Sequence, residues 1–283
     1  MKRLRLYLDL IRFEHTLFAL PFAYGGMLLA AGGWPGLRTF LLVTLAMVGA
    51  RTMAMALNRL IDWKIDALNP RTQNRHLPKG LVKPWETLFL ALVGLLLLTL
   101  AGLSLNPLTT RLLPVAVFFL TIYSYTKRFT WLCHYVLGLT IGAAAAGGWI
   151  AVTGSFHPTA YWLWAGVGLW IAGFDILYAT QDYTFDRAYG VKSIPARFGI
   201  PLSLWIARAT HLTAWLAFLL AGLSYGAGSL YFVGLLLVGG LLFYEHRLVS
   251  PEDLSRVDLA FFQANVGVSL GMFLFIVLDL LWG

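Results

Sequence analysis

The chain has 283 residues, of which 59% are hydrophobic and 12% are charged, with a formal net charge of +8. A mean hydropathy of +0.74 excludes a soluble globular domain of this size, and the dispersal of the charge between apolar runs disfavours nucleic-acid binding. The single cysteine, Cys133, excludes an intramolecular disulfide and a cysteine-rich metal site.

Apolar runs of about 20 residues recur along the chain, and this is the length that a helix needs to cross a ~30 Å hydrocarbon core. The runs are continuous, which favours helices over the alternating strands of a barrel. The sequence therefore predicts an all-α, polytopic membrane protein with a single domain over 1–283. We expect nine spans, near 13–32, 38–58, 86–105, 108–125, 131–152, 160–181, 200–222, 226–245 and 258–281.

The basic N-terminal stretch, residues 1–18, lacks a small-residue cleavage site, so we interpret the first apolar run as a retained helix. Lys and Arg residues predict the orientation, because they concentrate in cytoplasmic segments. With the N-terminus inside, seventeen of the 21 basic residues lie in inner segments and only Arg38 and Arg111 in outer ones. We expect the C-terminus outside, two polar cytoplasmic loops near 59–85 and 182–199, and the inner membrane of a prokaryote as the location.

The span near 38–58 runs into a charged stretch, NRLIDWKIDALNPRTQNRHLPKG, at 58–80. Asn58, Asp62 and Asp66 follow one another at four-residue spacing and therefore share one face of a helix. Arg51 precedes Asn58 by seven residues and falls near the same face. A carboxylate pair at a membrane boundary is costly unless it is matched by other charges, but one such cluster alone is as consistent with a topology signal as with a functional site.

A second acidic cluster repeats this spacing at the inner end of the span near 160–181. Asp182 and Asp186 are four residues apart. Asp175 precedes Asp182 by seven residues, and Tyr178 lies between Asp175 and Asp182. Mg²⁺ prefers oxygen ligands and typically uses one or two carboxylates together with substrate phosphates. Two such clusters facing each other predict a pair of Mg²⁺ ions around a diphosphate.

Basic residues on the same predicted side would neutralise the diphosphate oxygens. The segment YSYTKRF at 123–129 ends a span with a tyrosine, a lysine and an arginine. The basic residues on this side are Arg71, Arg75, Lys79, Lys127, Lys192 and Arg197.

At this point the sequence resembles the UbiA family of intramembrane aromatic prenyltransferases. The segments ARTMAMALNRLIDWKIDALNPRTQNRHLP and GFDILYATQDYTFDRAYGVKSIPARFG resemble the two signature regions of the family, and YSYTKRF resembles its Tyr-x-x-x-Lys segment. The family's first motif is usually Asn-Asp-x-x-Asp-x-x-x-Asp, whereas this chain has Arg59 at the second position. This variant resembles the subgroup that acts on 4-hydroxybenzoate and related aromatic acids.

The resemblance implies helices around a central cavity that opens to the cytoplasmic side and to lipid. It implies transfer of a polyprenyl group from polyprenyl diphosphate to the ring of an aromatic hydroxy acid, foremost 4-hydroxybenzoate, in respiratory quinone biosynthesis. We expect no nucleic acid and no obligate protein partner. The resemblance implies metal binding by Asn58, Asp62, Asp66, Asp182 and Asp186. It implies binding of the diphosphate or the acceptor by Arg51, Arg71, Arg75, Lys127, Arg128, Lys192 and Arg197. The implied catalytic residues are Asp175 and Tyr178, which would orient the acceptor or transfer its proton, together with Lys127 and Asp182.

Two alternatives stay open at this stage, and a third lacks its sequence motif. The same chemistry on a dihydroxynaphthoate would serve menaquinone formation. A secondary transporter also uses charged residues inside a membrane, but it places them near the midplane. A phospholipid head-group transferase would need Asp-Gly-x-x-Ala-Arg, which the sequence lacks.

The remaining polar residues are expected to be structural. Arg208, Glu245 and Asp279 stand apart from the two clusters, and His134, His157 and His211 form no metal-ligand pattern. We assign the glycines of 138–149 to helix packing, because small residues let membrane helices approach closely.

Overall fold

The structure, a computed structural model, describes residues 2–12 and 16–283. Residues 13–15, at the start of the first expected span, lie outside the described residues. The helices are α1 (Lys2–Leu10), α2 (Thr16–Ala31), α3 (Leu37–Leu68), α4 (Pro84–Leu105), α5 (Pro107–Thr126), α6 (Cys133–Thr153), α7 (Pro158–Ala179), α8 (Tyr183–Tyr189), α9 (Ile194–Phe198), α10 (Ile200–Tyr225), α11 (Ser229–Arg247), α12 (Val257–Leu259) and α13 (Asn265–Trp282).

The all-α membrane architecture is confirmed. Within the described ranges, eight helical stretches are long and apolar enough to cross a membrane. The first expected span corresponds to α2, whose apolar part, Phe18–Ala31, is shorter. Between α12 and α13 the chain forms a π-helical turn over Ala260–Ala264, so the last span is a helix with a local bulge rather than a uniform rod.

The two stretches that we expected to be loops are partly helical. α3 has 32 residues and is about 48 Å long, so it extends well beyond a ~30 Å core. Its last ten residues carry the acidic face of Asp62 and Asp66, and both side chains are buried against other parts of the chain. Burial of this polar face stabilises the helix where composition alone favoured a loop. The stretch 182–199 contains α8 and α9.

Helices α6, α7 and α2 pack closely at glycines. A Cβ atom added to Gly138 would lie 2.1 Å from the carbonyl oxygen of Gly168, and one added to Gly148 would lie 2.0 Å from that of Ala23. No larger residue fits at these crossings, so the glycines of α6 serve packing as expected. Gly147 differs, because no atom lies within 4 Å of an added Cβ there.

Aromatic rings fill the core between α2, α7, α10 and α13. The ring of Phe22 stacks on that of Phe218 with centroids 5.5 Å apart. Trp170 is fully buried, and its Nε1–H donates to Asn265 Oδ1 at 2.6 Å, which satisfies both polar groups. The packed core fixes the helices that position the polar residues described below.

The two ends of the bundle differ in their connections. At one end the helices are joined by short turns, and Asn106 there accepts the N–H groups of Leu108 and Thr109 at the start of α5 while donating to Ile150 O on α6. At the other end, here called the charged end, α3, α5 and α7 finish and longer polar segments follow them. The segments at the charged end are 69–83, 127–132, 180–199 and 248–256.

Candidate active site

The first acidic cluster lies on the final turns of α3. Asp62 is 1% exposed. Its Oδ2 accepts from Lys127 Nζ at 2.6 Å and from Asn58 Nδ2 at 3.0 Å, and its Oδ1 accepts from Arg128 Nη1 at 3.1 Å. Asn58 Nδ2 also donates to Ser124 Oγ on α5 at 3.2 Å. The end of α5 therefore supplies two cations to one buried carboxylate.

Asp66, one turn further along α3, is bound by the segment that follows the helix. Arg75 Nη1 donates to both oxygens of the Asp66 carboxylate at 2.8 and 2.7 Å. Thr72 Oγ1 donates to the Asp66 carbonyl oxygen at 3.0 Å, which holds the returning chain against α3. The polar segment 69–83 thus folds back over the acidic face.

The same segment connects the first cluster to the second. Asn69 Nδ2 donates to Asp182 Oδ1 at 2.8 Å, and Arg71 Nε donates to the same oxygen at 2.8 Å. Arg71 Nη2 forms an ion pair with Asp182 Oδ2, and Arg71 Nη1 donates to Tyr178 Oη at 2.9 Å. Burial alone would lower the pKa of Arg71, but the Asp182 hydrogen bonds and charge raise it above its ordinary value, so Arg71 remains a cation.

Asp186 and Asp175 are held by polar groups of other elements. Ser193 Oγ donates to Asp186 Oδ2 at 2.7 Å and accepts the Ala196 N–H at the start of α9. Asp175 lies 2.7 Å from His134 Nδ1, and His134 Nε2 accepts the Ile194 N–H at 3.2 Å. Because Nε2 accepts this amide hydrogen, the Nδ1 atom of His134 carries the proton and donates it to the Asp175 carboxylate.

The remaining predicted site residues lie at the same end or deeper along α3. Lys192 N–H donates to Lys127 O at 2.7 Å, so the segment before α9 contacts the end of α5. The side chains of Lys192 and Arg197 are exposed at the charged end. Arg51, by contrast, lies within α3, and its Nη2 donates to Arg12 O at 3.1 Å. The structure thus gathers the predicted residues at one end and leaves Arg51 deeper than the rest.

Several contacts at this site were not predicted. Arg59, the residue that departs from the usual first motif, is 6% exposed and donates through Nε to Leu10 O at 3.2 Å. The contact of His134 with Asp175 was not predicted, because it joins residues 41 positions apart in the sequence. Asn69 lies inside the first signature region, and its polar side chain at that position is the signal in the sequence for its contact with Asp182.

The oxygen donors suit Mg²⁺ in chemistry. Hard carboxylate and amide oxygens are present at Asn58, Asp62, Asp66, Asp182 and Asp186, without sulfur or imidazole ligands among them. Among the described residues, no three His, Cys, Asp or Glu side chains are grouped closely enough to hold a metal unaided. This dispersal fits an ion that takes one or two carboxylates and completes its shell with phosphate oxygens and water.

The fold and these contacts define a polytopic helical membrane protein with a cluster of paired carboxylates and cations at one end of its bundle. The sequence model of the UbiA prenyltransferase family matches residues 19–275. The chain therefore belongs to the UbiA prenyltransferase family, and it is a prenyltransferase.

Curated relatives match over nearly the whole chain. A 4-hydroxybenzoate octaprenyltransferase of Shewanella halifaxensis is 31% identical over 282 residues, which cover 98% of this chain and 96% of the relative. One of Shewanella denitrificans is 33% identical over 282 residues, covering 98% and 94%. The chain therefore spans nearly the whole length of these relatives.

Solved structures share the fold. A UbiA homolog from Aeropyrum pernix K1, solved in its apo form, matches with a TM-score of 0.85 and 33% identity and covers 94% of this chain and 98% of that one. A UbiA homolog from Archaeoglobus fulgidus bound to GPP and Mg²⁺ matches with a TM-score of 0.68 and 20% identity, covering 96% and 99%. At 20% identity, the match to the Archaeoglobus fulgidus protein shows a shared fold alone.

Proposed function

We propose that the protein transfers a polyprenyl group from polyprenyl diphosphate to the ring of an aromatic hydroxy acid, with 4-hydroxybenzoate as the acceptor. The observation that carries this proposal is the pairing of buried aspartates with Lys and Arg at the end of membrane-spanning helices. A diphosphate needs both kinds of group, because its metal ions bind carboxylates and its free oxygens bind cations. The names of the relatives support 4-hydroxybenzoate over other acceptors.

The site residues divide into two metal-binding sets. Asn58, Asp62 and Asp66 would hold one Mg²⁺, and Asp182 and Asp186 would hold a second. Magnesium bound there would polarise the diphosphate and stabilise its charge as it leaves. Asn69 and Arg71 tie Asp182 to the segment that follows α3, and this tie supports the placing of both sets around one diphosphate.

The cations that now contact the carboxylates would bind the diphosphate. They are Arg71, Arg75, Lys127 and Arg128, and the exposed Lys192 and Arg197 extend the same surface. If a carboxylate held Mg²⁺, the cation now paired with that carboxylate would be free to contact the phosphate oxygens. This exchange keeps each charge paired throughout binding, which matters where the dielectric constant is low.

In the transfer step, the carbon–oxygen bond of the donor breaks and the diphosphate leaves with the electron pair. The ring carbon ortho to the acceptor hydroxyl attacks the allylic cation, a carbon–carbon bond forms, and the ring loses a proton. Asp175 is the proposed proton acceptor, because His134 donates to its carboxylate and orients it. Tyr178, held by Arg71, is proposed to orient the hydroxyl group.

Arg51 and Arg128 are the candidates for binding the acceptor carboxylate, since a planar guanidinium matches a carboxylate in two hydrogen bonds. Arg128 already donates to Asp62, Ser124 O and Ile61 O, whereas Arg51 lies deeper in α3. A decrease in acceptor affinity in Arg51→Gln, with donor affinity unchanged, would assign the role to Arg51. The same result in the matched variant Arg128→Gln, with Arg51→Gln unaffected, would assign the role to Arg128.

We further propose that the charged end faces the cytoplasm of a prokaryote, with the C-terminus outside. Basic residues are concentrated at this end, which follows the general bias of Lys and Arg towards the cytoplasmic side. This orientation is tested by introducing a cysteine at exposed Lys79 or at exposed Trp282. Each variant is treated with a membrane-impermeant thiol reagent in whole cells and in lysed cells. In intact cells only the Trp282→Cys variant should react.

The activity is tested with the full chain in detergent, supplied with labelled geranyl or farnesyl diphosphate, with Mg²⁺ or with EDTA. 4-Hydroxybenzoate and a dihydroxynaphthoate are offered separately. The expected result is Mg²⁺-dependent product with 4-hydroxybenzoate and less than a tenth of that rate with the naphthoate. Product with the naphthoate alone would identify the naphthoate, and not 4-hydroxybenzoate, as the acceptor. Donor binding without product from either acceptor would overturn the proposed acceptor class. Asp258→Asn, which alters an exposed carboxylate at the charged end, is the matched control for charge loss.

A further inference from the structure

A groove on the outer surface of the bundle lies away from the two acidic clusters. It has a volume of about 670 Å³ and is formed by α10 and α11, in the half of these helices nearer the charged end. Its apolar walls include Leu212 and Phe243, which are 61% and 65% exposed. Such exposure on membrane-spanning helices means that the groove opens towards lipid rather than towards the interior of the bundle.

Basic side chains line the same groove. Arg208 on α10 and Arg247 at the end of α11 both contribute to it, together with His246. The guanidinium of Arg208 lies 4.8 Å from the ring centroid of Trp205, and that of Arg247 lies 5.4 Å from the ring centroid of Phe243. Within the described part of the chain, neither arginine forms an ion pair with a carboxylate. Two guanidinium groups without an anionic partner at a membrane boundary favour binding of an anion there.

The buried carboxylate of Glu245 lies behind the wall of the groove, with its Oε2 3.7 Å from Nδ1 of His211. Glu245 is fully buried and accepts from Asn265 Nδ2 at 2.9 Å, and it does not line the groove. His211, which does line it, donates through Nε2 to Trp170 O at 3.1 Å and is thereby fixed to the packed core. The inner wall of the groove is therefore anchored to the packed core, and arginines supply the charge along the groove.

The groove also limits the shape of its occupant. Along α10, Arg208 and Trp215 are seven residues apart, or about 10 Å. Trp215 Nε1 donates to Leu235 O at 2.8 Å, and this contact joins α10 to α11 at the end of the groove opposite the arginines. An occupant must place an anionic group at the arginines and an apolar chain along Leu212, Trp215 and Phe243.

We propose that this groove, here called the α10–α11 groove, is a binding site for an anionic phospholipid, whose phosphate contacts Arg208 and Arg247 and whose acyl chain lies between the helices. Charge complementarity carries the choice of occupant, because a zwitterionic head group would bring its own cation to two arginines. An anionic head group near a membrane surface gains about fivefold in affinity per basic residue. The proposal does not depend on the identity of the acceptor or donor in catalysis.

The test uses the full chain in detergent and native mass spectrometry with added phosphatidylglycerol or phosphatidylcholine. The wild type should retain one phosphatidylglycerol under conditions that remove phosphatidylcholine. The variant R208Q/R247Q should retain at least about 20-fold less phosphatidylglycerol, and R247Q alone about fivefold less. The matched control is R5Q/R256Q, which removes two exposed basic charges from outside the groove.

Three outcomes would overturn the proposal. The first is equal retention of both lipids, and the second is an equal decrease in the R5Q/R256Q control, since the effect would then follow total charge. The third is displacement of the bound lipid by inorganic pyrophosphate or geranyl diphosphate at concentrations that saturate donor binding, which would make the groove a diphosphate site. R247Q serves as the second variant because Arg247 is exposed and its replacement leaves the helix packing intact.

Discussion

Replacement of Asp62 by asparagine is the most direct perturbation of the site. The change preserves the size of the side chain but removes a charge that is paired with both Lys127 and Arg128. The carboxylate side chain is 2% exposed, while the two cations are 29% and 32% exposed. An asparagine NH₂ group would also have to face at least one of the donors that now contact Asp62.

The expected effect on stability is small. Removing one partner of a fully buried ion pair costs about 3–5 kcal/mol, mainly because a charge is left buried and unpaired. Here the two cations are about one-third exposed and can turn towards water, so we expect the free energy of unfolding to fall by about 1–2 kcal/mol. The Asp62→Asn protein should therefore fold, with its thermal midpoint lowered by a few degrees in detergent.

The expected effect on catalysis is large. The variant loses a proposed metal ligand and the contact that orients Lys127, so kcat should fall by at least about 10²-fold. Excess Mg²⁺ should not restore it. Binding of geranyl diphosphate in EDTA should persist, but its strengthening by Mg²⁺ should disappear. A prenyl-transfer assay with a Mg²⁺ titration, combined with equilibrium donor binding, measures both effects.

A double-mutant cycle with Lys127→Gln separates the two roles of Asp62. If Asp62 serves only to neutralise Lys127, the double variant should be more stable than Asp62→Asn and as active as Lys127→Gln alone. If Asp62 also binds metal, the double variant should recover stability but be less active than Lys127→Gln alone. A kcat for Asp62→Asn within threefold of the wild type, in folded protein, would refute the reasoning for the whole first cluster.

Two further predictions concern the scaffold. Gly138→Ala should lower the thermal midpoint and the yield of folded protein because its Cβ would meet the backbone of α7 at 2.1 Å, whereas Gly147→Ala on the same helix should change neither; equal melting of the two variants would contradict the close-packing argument. Asp279→Ala should lower the free energy of unfolding by about 1–2 kcal/mol, because it removes the acceptor for the N–H groups of Gly228 and Tyr231 at the start of α11. The kcat of this variant, measured below the melting range, should stay unchanged.

The sequence predicted the helices and the acidic faces because both depend on local spacing. Apolar runs of span length determine the bundle, and four-residue spacing places Asp62 and Asp66 on one face wherever a helix forms. The same spacing indicated that α3 continues beyond residue 58, but the polarity of that stretch led us to expect a loop. Tertiary contacts of the polar face with the segment 69–83 resolve this conflict in favour of the helix.

The pairing within the site could not be predicted from spacing. Asn69 and Asp182 are 113 positions apart, and His134 and Asp175 are 41 apart, so each contact depends on how the helices pack and where the connecting segments turn. Several cations lie near the charged end, and composition does not specify which of them binds which aspartate. The burial of Arg59 against Leu10 O likewise requires the position of α1, which no local pattern encodes.

The observed pairing has a physical consequence for how the proposed site binds its substrate. Carboxylates at a membrane boundary are costly without partners, and here Lys127, Arg75 and Arg71 neutralise Asp62, Asp66 and Asp182. A metal ion alone would displace these cations and leave them unpaired, and a diphosphate alone would draw them from the carboxylates. Only the two together satisfy every charge, so the ion pairs disfavour binding of either component by itself. In the proposed site, the lysine and arginine residues would thus neutralise the carboxylates before binding and contact the diphosphate afterwards.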